Sequence, residues 1–174
     1  MELKSNMESE NVQITKKIAN LILTSPQKMI REEDLKTISR DFNFEEIMSG
    51  VYLNLQKVGF ELIKTNFLGQ GYYVLTTDGI DDNITPSQYG ILAIIATLGK
   101  DLEEVIPIKD VKEIFKEIWD TDIKFLIDND YIRKNEELNI IRLSPLGKAI
   151  LKNIYKDLRL DNLIKIFENE NSKN

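Results

Sequence analysis

Through the first third of the chain, apolar residues recur at steps of three and four, the spacing that keeps them on one side of a helix. Ile14, Ile18, Leu21 and Ile22 place a first helix at about residues 12–25, with Lys16 and Lys17 turned away and Pro26 ending it. A second, short helix spans about 31–40. Glu32, Glu33 and Asp34 stand near its positive N-terminal end, and Leu35 and Ile38 lie on its inner face. Phe44, Ile47, Met48, Val51, Tyr52, Leu55 and Val58 form the clearest stripe, a third helix that Gly59 stops. The period then shortens: residues 60–65 and 72–77 read as two strands, with 66–71 as the hairpin loop between them.

After the polar stretch 78–83 the same order of elements returns. Thr85-Pro86 offers an N-cap with proline at the first helical position, and residues 87–98 follow as a helix apolar on most sides. Ile106-Pro107-Ile108 reads as a short strand. Asp110-Val111 with Ile114 echoes Asp34-Leu35 with Ile38, and Ile123, Leu126 and Ile127 mark a third helix ending near Asp130. Residues 131–134 and 139–143, joined through 135–138, make the second hairpin, and a last helix covers about 145–158. Three helices followed by a hairpin is the winged-helix plan. The expectation is a mostly α fold with small β-hairpins (α+β), arranged as tandem winged-helix domains. The first spans 12–77, a linker 78–84, and the second, with its closing helix, 85–158; the tail 159–174 is expected to be disordered at its polar end.

Composition narrows the chemistry. The chain has 174 residues, 42% hydrophobic and 30% charged, and its longest apolar run, Ile91 to Ala96, is far shorter than the ~20 residues of a membrane span. No apolar leader is visible near Met1, so a cytoplasmic location is expected. Without Cys or His, thiol nucleophiles, thiolate zinc sites and the usual general base are missing. Asp101 follows Gly99-Lys100 where a phosphate loop needs Ser or Thr. The carboxylate clusters Glu32-Glu33-Asp34, Asp81-Asp82 and Asp120/Asp122 read as helix N-termini and loops. No enzyme activity, cofactor or metal is expected.

A winged helix ordinarily reads DNA with its third helix in the major groove. Here those helices open with Asp41, Glu45 and Glu46, and with Asp120 and Asp122, which a duplex carrying one charge per ~1.7 Å repels. Residues 1–83 hold 9 basic and 13 acidic side chains and residues 84–174 hold 14 and 16, so neither half is a basic module. A protein partner is the favoured expectation, and a winged-helix DNA-binding transcription regulator is the alternative.

Gly71-Tyr-Tyr-Val-Leu-Thr-Thr77, followed by Thr85-Pro86 and Ile91-Leu-Ala-Ile-Ile-Ala96, resembles the junction in the kleisin-interacting tandem winged-helix (KITE) proteins. That group includes bacterial segregation and condensation protein B and the MAGE homology domain. Leu143-Ser-Pro-Leu-Gly-Lys-Ala149 is closer to the MAGE end pattern, and the bacterial protein's Gly-Arg-Pro and Tyr-Gly-Thr-Thr segments are absent. The resemblance implies a nucleoid-associated architectural subunit. It would bind the kleisin of an SMC ATPase complex in chromosome segregation, condensation or repair, and pair with itself or a tandem winged-helix relative.

Three surfaces are expected to serve this role. Leu92, Ile95, Phe125 and Leu126, with Tyr72 as an outward aromatic anchor, form a groove for a kleisin segment. Phe67 and Leu68, which no core pattern claims, form a self-association contact. Lys148, Lys152, Lys156 and Arg159 lie on one side of the last helix, and Arg133, Lys134 and Arg142 extend the stripe into a patch for weak, sequence-independent nucleic-acid contact.

Overall fold

The computed structural model describes the backbone of residues 2–77, 81, 83–101 and 105–157. The first half begins with α1 (Glu2–Thr24), β1 (Met29–Arg31), α2 (Glu32–Ile38) and α3 (Phe44–Gln56), and ends on the hairpin of β2 (Phe60–Phe67) and β3 (Gln70–Thr77). The second half repeats the order with α4 (Pro86–Asp101), β4 (Ile106–Pro107), α5 (Ile108–Ile114), α6 (Lys124–Asp128), β5 (Ile132–Asn135) and β6 (Ile140–Leu143), closed by α7 (Pro145–Asp157). The fold is therefore mixed α and β. Among the described residues, seven α-helices surround two three-stranded antiparallel sheets, ordered β1-β3-β2 and β4-β6-β5.

Local chemistry explains most of the boundaries. Asn43 caps α3 by accepting from the Glu45 and Glu46 N–H groups, and Gly59, at φ +82°, carries the chain out of the helix in the left-handed region. Thr85 and Gln88 form a reciprocal capping box at the start of α4: the Gln88 N–H donates to Thr85 Oγ1 at 3.2 Å and the Thr85 N–H to Gln88 Oε1 at 3.0 Å. The expected third helix of the second half is broken into a 3-10 turn at Lys116–Ile118 and a π-helical stretch at Trp119–Ile123 ahead of α6. The expected loop of the first hairpin is also shorter. Leu68 at φ +50° and Gly69 at φ +76° make a two-residue turn, so the strands run on to Phe67 and Gln70.

Each half has its own core. Ile18, Ile22, Leu35, Ile47, Val51, Leu55, Leu62 and Leu75 close the first, and Ile91, Leu92, Ile95, Val111, Ile123, Leu126, Ile141 and Leu151 are among those closing the second. Two stripe positions of α3 are not core: Tyr52 and Val58 are exposed, Val58 lying beyond the helix end. A third, smaller cluster joins the halves. Side chains alternate across β2 and β3, so Leu62 and Leu75 face the first core while Ile63 and Val74 face the other way, with Met29, onto Ala149 and Leu146 of α7. α7 thus belongs to both halves, since Ile150 and Leu151 sit in the second core. α7 meets the first half, lying against β2 and β3. α4 is apolar on most sides because α7, β4 and β6 of its own half surround it.

The segment 143–149 is built for that role. Ser144 caps α7 by accepting from the Gly147 N–H at 3.0 Å and donates its own proton to the Asp130 carbonyl. A Cβ on Gly147 would lie 2.2 Å from the Tyr131 carbonyl oxygen, so only glycine lets α7 start this close to the second hairpin. The linker's Asp81 is tied to the second half: the Tyr131 hydroxyl donates to it at 2.8 Å, and its own N–H donates to the Tyr89 hydroxyl at 2.7 Å.

Candidate functional site

An open cleft of about 590 Å³ lies beside the junction of the halves. The end of α1 gives Leu21 and Thr24, the following turn Ser25, Pro26 and Gln27, and β1 with the start of α2 gives Met29, Ile30, Arg31 and Asp34. Tyr72 of β3 and Arg133 of β5 complete the lining, so the second half contributes one side chain, Arg133.

Arg133 is fixed in place. Its Nε and Nη2 donate to the two Asp130 carboxylate oxygens at 2.7 and 2.9 Å, and the guanidinium lies over the Phe67 ring, 4.9 Å from its centroid. Nη2 also reaches Met29 Sδ at 3.8 Å. Asp130, at φ +58°, is held in the left-handed region by its neighbours: its carbonyl accepts from Ser144 and its carboxylate from Arg133. Phe67 packs edge-on to Tyr72 at 6.4 Å. On the other side of the cleft Arg31 pairs with Asp34 at 3.1 Å on exposed surface.

Tyr72 and Tyr73 divide as their alternation requires. Tyr73 packs with Phe44 against the first core, and Tyr72 faces the junction, half-buried, at the rim of the cleft. Gly71 before them lets the Glu32 carboxylate lie close against the strand, where a Cβ would meet it at 2.3 Å and push the side chain aside. Hydrogen bonds from Lys64 and Lys36 hold that carboxylate below the usual Glu range.

Several expected site residues lie elsewhere. Leu92, Ile95 and Leu126 are fully buried, and Phe125 is partly buried against the same core, so these four form no groove. Phe67, expected to be exposed, is only 7% exposed, because the tight turn keeps it in β2 under Arg133; Leu68 at the turn stays open to solvent. The described members of the basic patch are divided between several faces. Arg133 and Arg142 are cross-strand partners on one face of the second sheet, Lys134 faces the other way beside Glu136, and Arg133 turns toward the first half. Lys148 donates to the Asn66 carbonyl at 3.1 Å, and Lys152 is exposed. The Lys156 side chain, Arg159 and the tail 159–174 lie outside the described residues, as does most of the linker. Sequence reasoning named Tyr72 as a partner-binding aromatic and Arg133 as part of a basic patch, and missed Leu21, Met29 and Arg31, which share no motif.

Both third helices present acid. Glu45 and Glu46 open α3 on exposed surface, and before α6 Asp120 is exposed while Asp122 accepts from Gln88. Among the described residues, no helix is long and apolar enough to cross a membrane, and no cluster of carboxylates could hold a metal ion. No protein-family model matches the chain, and no curated protein matches it.

Proposed function

We propose that the chain is a non-enzymatic tandem winged-helix protein that grips a partner polypeptide in the junction cleft, and that the partner is the kleisin of an SMC complex. The observation that carries the first part is the cleft itself: it is apolar at Leu21, Met29 and Tyr72, flanked by arginines, and lined from both halves. The repeated order of helices and hairpins, with both sheets ordered first-third-second, supports the tandem winged-helix reading. The acid at the start of both third helices argues against reading DNA with them. The kleisin, the association with the nucleoid and pairing with a relative rest on the resemblance of residues 71–96 and 143–149 to the KITE group.

Affinity purification of the full chain from its own cells, alongside a genome-wide DNA-binding profile, tests this. Stoichiometric recovery of a kleisin and its SMC ATPase without sequence-specific DNA peaks is the expected result. Sharp DNA peaks with no SMC component would establish the transcription regulator instead.

A further inference from the structure

The sheet edge that borders the cleft is chemically one-sided. The Leu75 N–H donates to the Lys28 carbonyl at 2.8 Å, and residues facing a neighbour alternate along an antiparallel ladder. Lys28 and Ile30 therefore face β3, whereas Met29 and Arg31 turn their N–H and C=O groups to the open edge. Both carbonyls are already used. Ser25 Oγ donates to the Met29 carbonyl at 3.0 Å, and the Arg31 carbonyl, at the N-cap of α2, takes the first helical hydrogen bond. The two N–H groups have no partner among the described residues. They stand about 7 Å apart, the spacing of alternate residues on an extended chain.

We propose that an extended, acid-bearing segment of the partner polypeptide pairs through its carbonyls with the Met29 and Arg31 N–H groups and joins the first sheet as a fourth strand. This rests on the partner-binding reading above and specifies how the partner is held. A helix cannot take this place, since its own backbone carbonyls are satisfied internally. A second copy of β1 cannot either, because it would bring donor against donor. Both arginines at the cleft are paired within the chain, Arg133 with Asp130 and Arg31 with Asp34, but Arg31 is half exposed and engages Asp34 through Nε alone, so its Nη groups can receive an acidic side chain of the segment. Leu21, Met29 and Tyr72 receive the apolar positions between.

Arg31 permits a backbone-specific test. Its φ of −68° suits a proline ring, its N–H makes no ladder bond, and an edge strand tolerates proline. Arg31→Pro removes the N–H and the charge, whereas Arg31→Ala removes only the charge. Titrated with the kleisin polypeptide from the same genome, Arg31→Pro is expected to bind about tenfold more weakly than Arg31→Ala, the effect of one lost backbone hydrogen bond with its donor removed. In the wild-type complex, amide exchange at Met29 and Arg31 is expected to slow, which needs no variant to fold. Equal affinities of the two variants, or unslowed exchange at both amides, overturn the edge pairing and leave the kleisin reading intact. If the wild-type chain ignores the kleisin, that reading fails separately. The edge is then judged with an eight-residue peptide alternating glutamate and valine: NMR shifts at both amides support it, and unmoved amides overturn it.

Discussion

Replacing Phe67 decides whether the first hairpin is an interface between copies or a seam within one chain. The ring is 7% exposed, lies under the Arg133 guanidinium at 4.9 Å, and meets Tyr72 edge-on at 6.4 Å. Phe67→Ala removes most of that buried ring and leaves a cavity beside Tyr72 and Arg133, at a cost of about 3–4 kcal/mol. For a chain of this size that lowers the melting temperature by about 10 °C. Phe67→Leu refills most of the volume but loses the aromatic contacts with Tyr72 and Arg133, and costs about 1–1.5 kcal/mol. Thermal melts of the three proteins, with light scattering on the same samples, give both stability and mass. The expected order is wild type, Leu, Ala, with no change of mass. A Phe67→Ala protein that melts like wild type while its mass halves would refute the intramolecular seam and restore the self-association contact.

Other substitutions follow the same geometry. Gly147→Ala is expected to cost about 1–3 kcal/mol in denaturant unfolding, because the new Cβ would press on the Tyr131 carbonyl oxygen and α7 would have to move off the second hairpin. Leu92→Glu places a carboxylate at a fully buried site in the second core and is expected to abolish the cooperative melt, so loss of binding in that variant reports unfolding. Burial raises the Asp81 carboxyl, but hydrogen bonds from Asn83 and the Tyr131 hydroxyl outweigh it and hold the group below its ordinary 3.8. Its contribution is therefore present above that value and lost as the pH falls through the lower folded value. Asp81→Asn should be less stable than wild type at neutral pH, and the gap should close in melts taken below pH ~4.

The helices and hairpins were legible because each buries a stripe. Ile47, Met48, Val51 and Leu55 repeat at helical spacing, and Gly59 ends their helix at a left-handed φ. β1 was not legible: three residues, Met29–Arg31, are too few to show a period, and the strand exists because β3 offers it a partner. The first turns of α1 carry no apolar stripe to mark them, so the helix begins at Glu2 and not near Val12. Phe67 was misplaced because Leu68-Gly69 lacks the usual Asn-Gly signature of a two-residue turn, yet Leu68 adopts the positive φ itself. The cleft was out of reach for another reason. Leu21, Met29 and Tyr72 come together when β1 pairs with β3, and Arg133 joins them only when the second half docks on the outer face of the first sheet, pairings that no local pattern encodes.

The most direct test of the central claim is the affinity of the full chain for the kleisin polypeptide of its own genome, measured by titration calorimetry for wild type and Leu21→Glu. Leu21 lines the cleft and is 39% exposed, so the charge costs the fold little, about 0.5 kcal/mol. The account requires a wild-type complex and at least a tenfold loss in Leu21→Glu with an unchanged melt. A wild-type protein that does not bind the kleisin, or a Leu21→Glu protein that binds it equally well, would contradict the account.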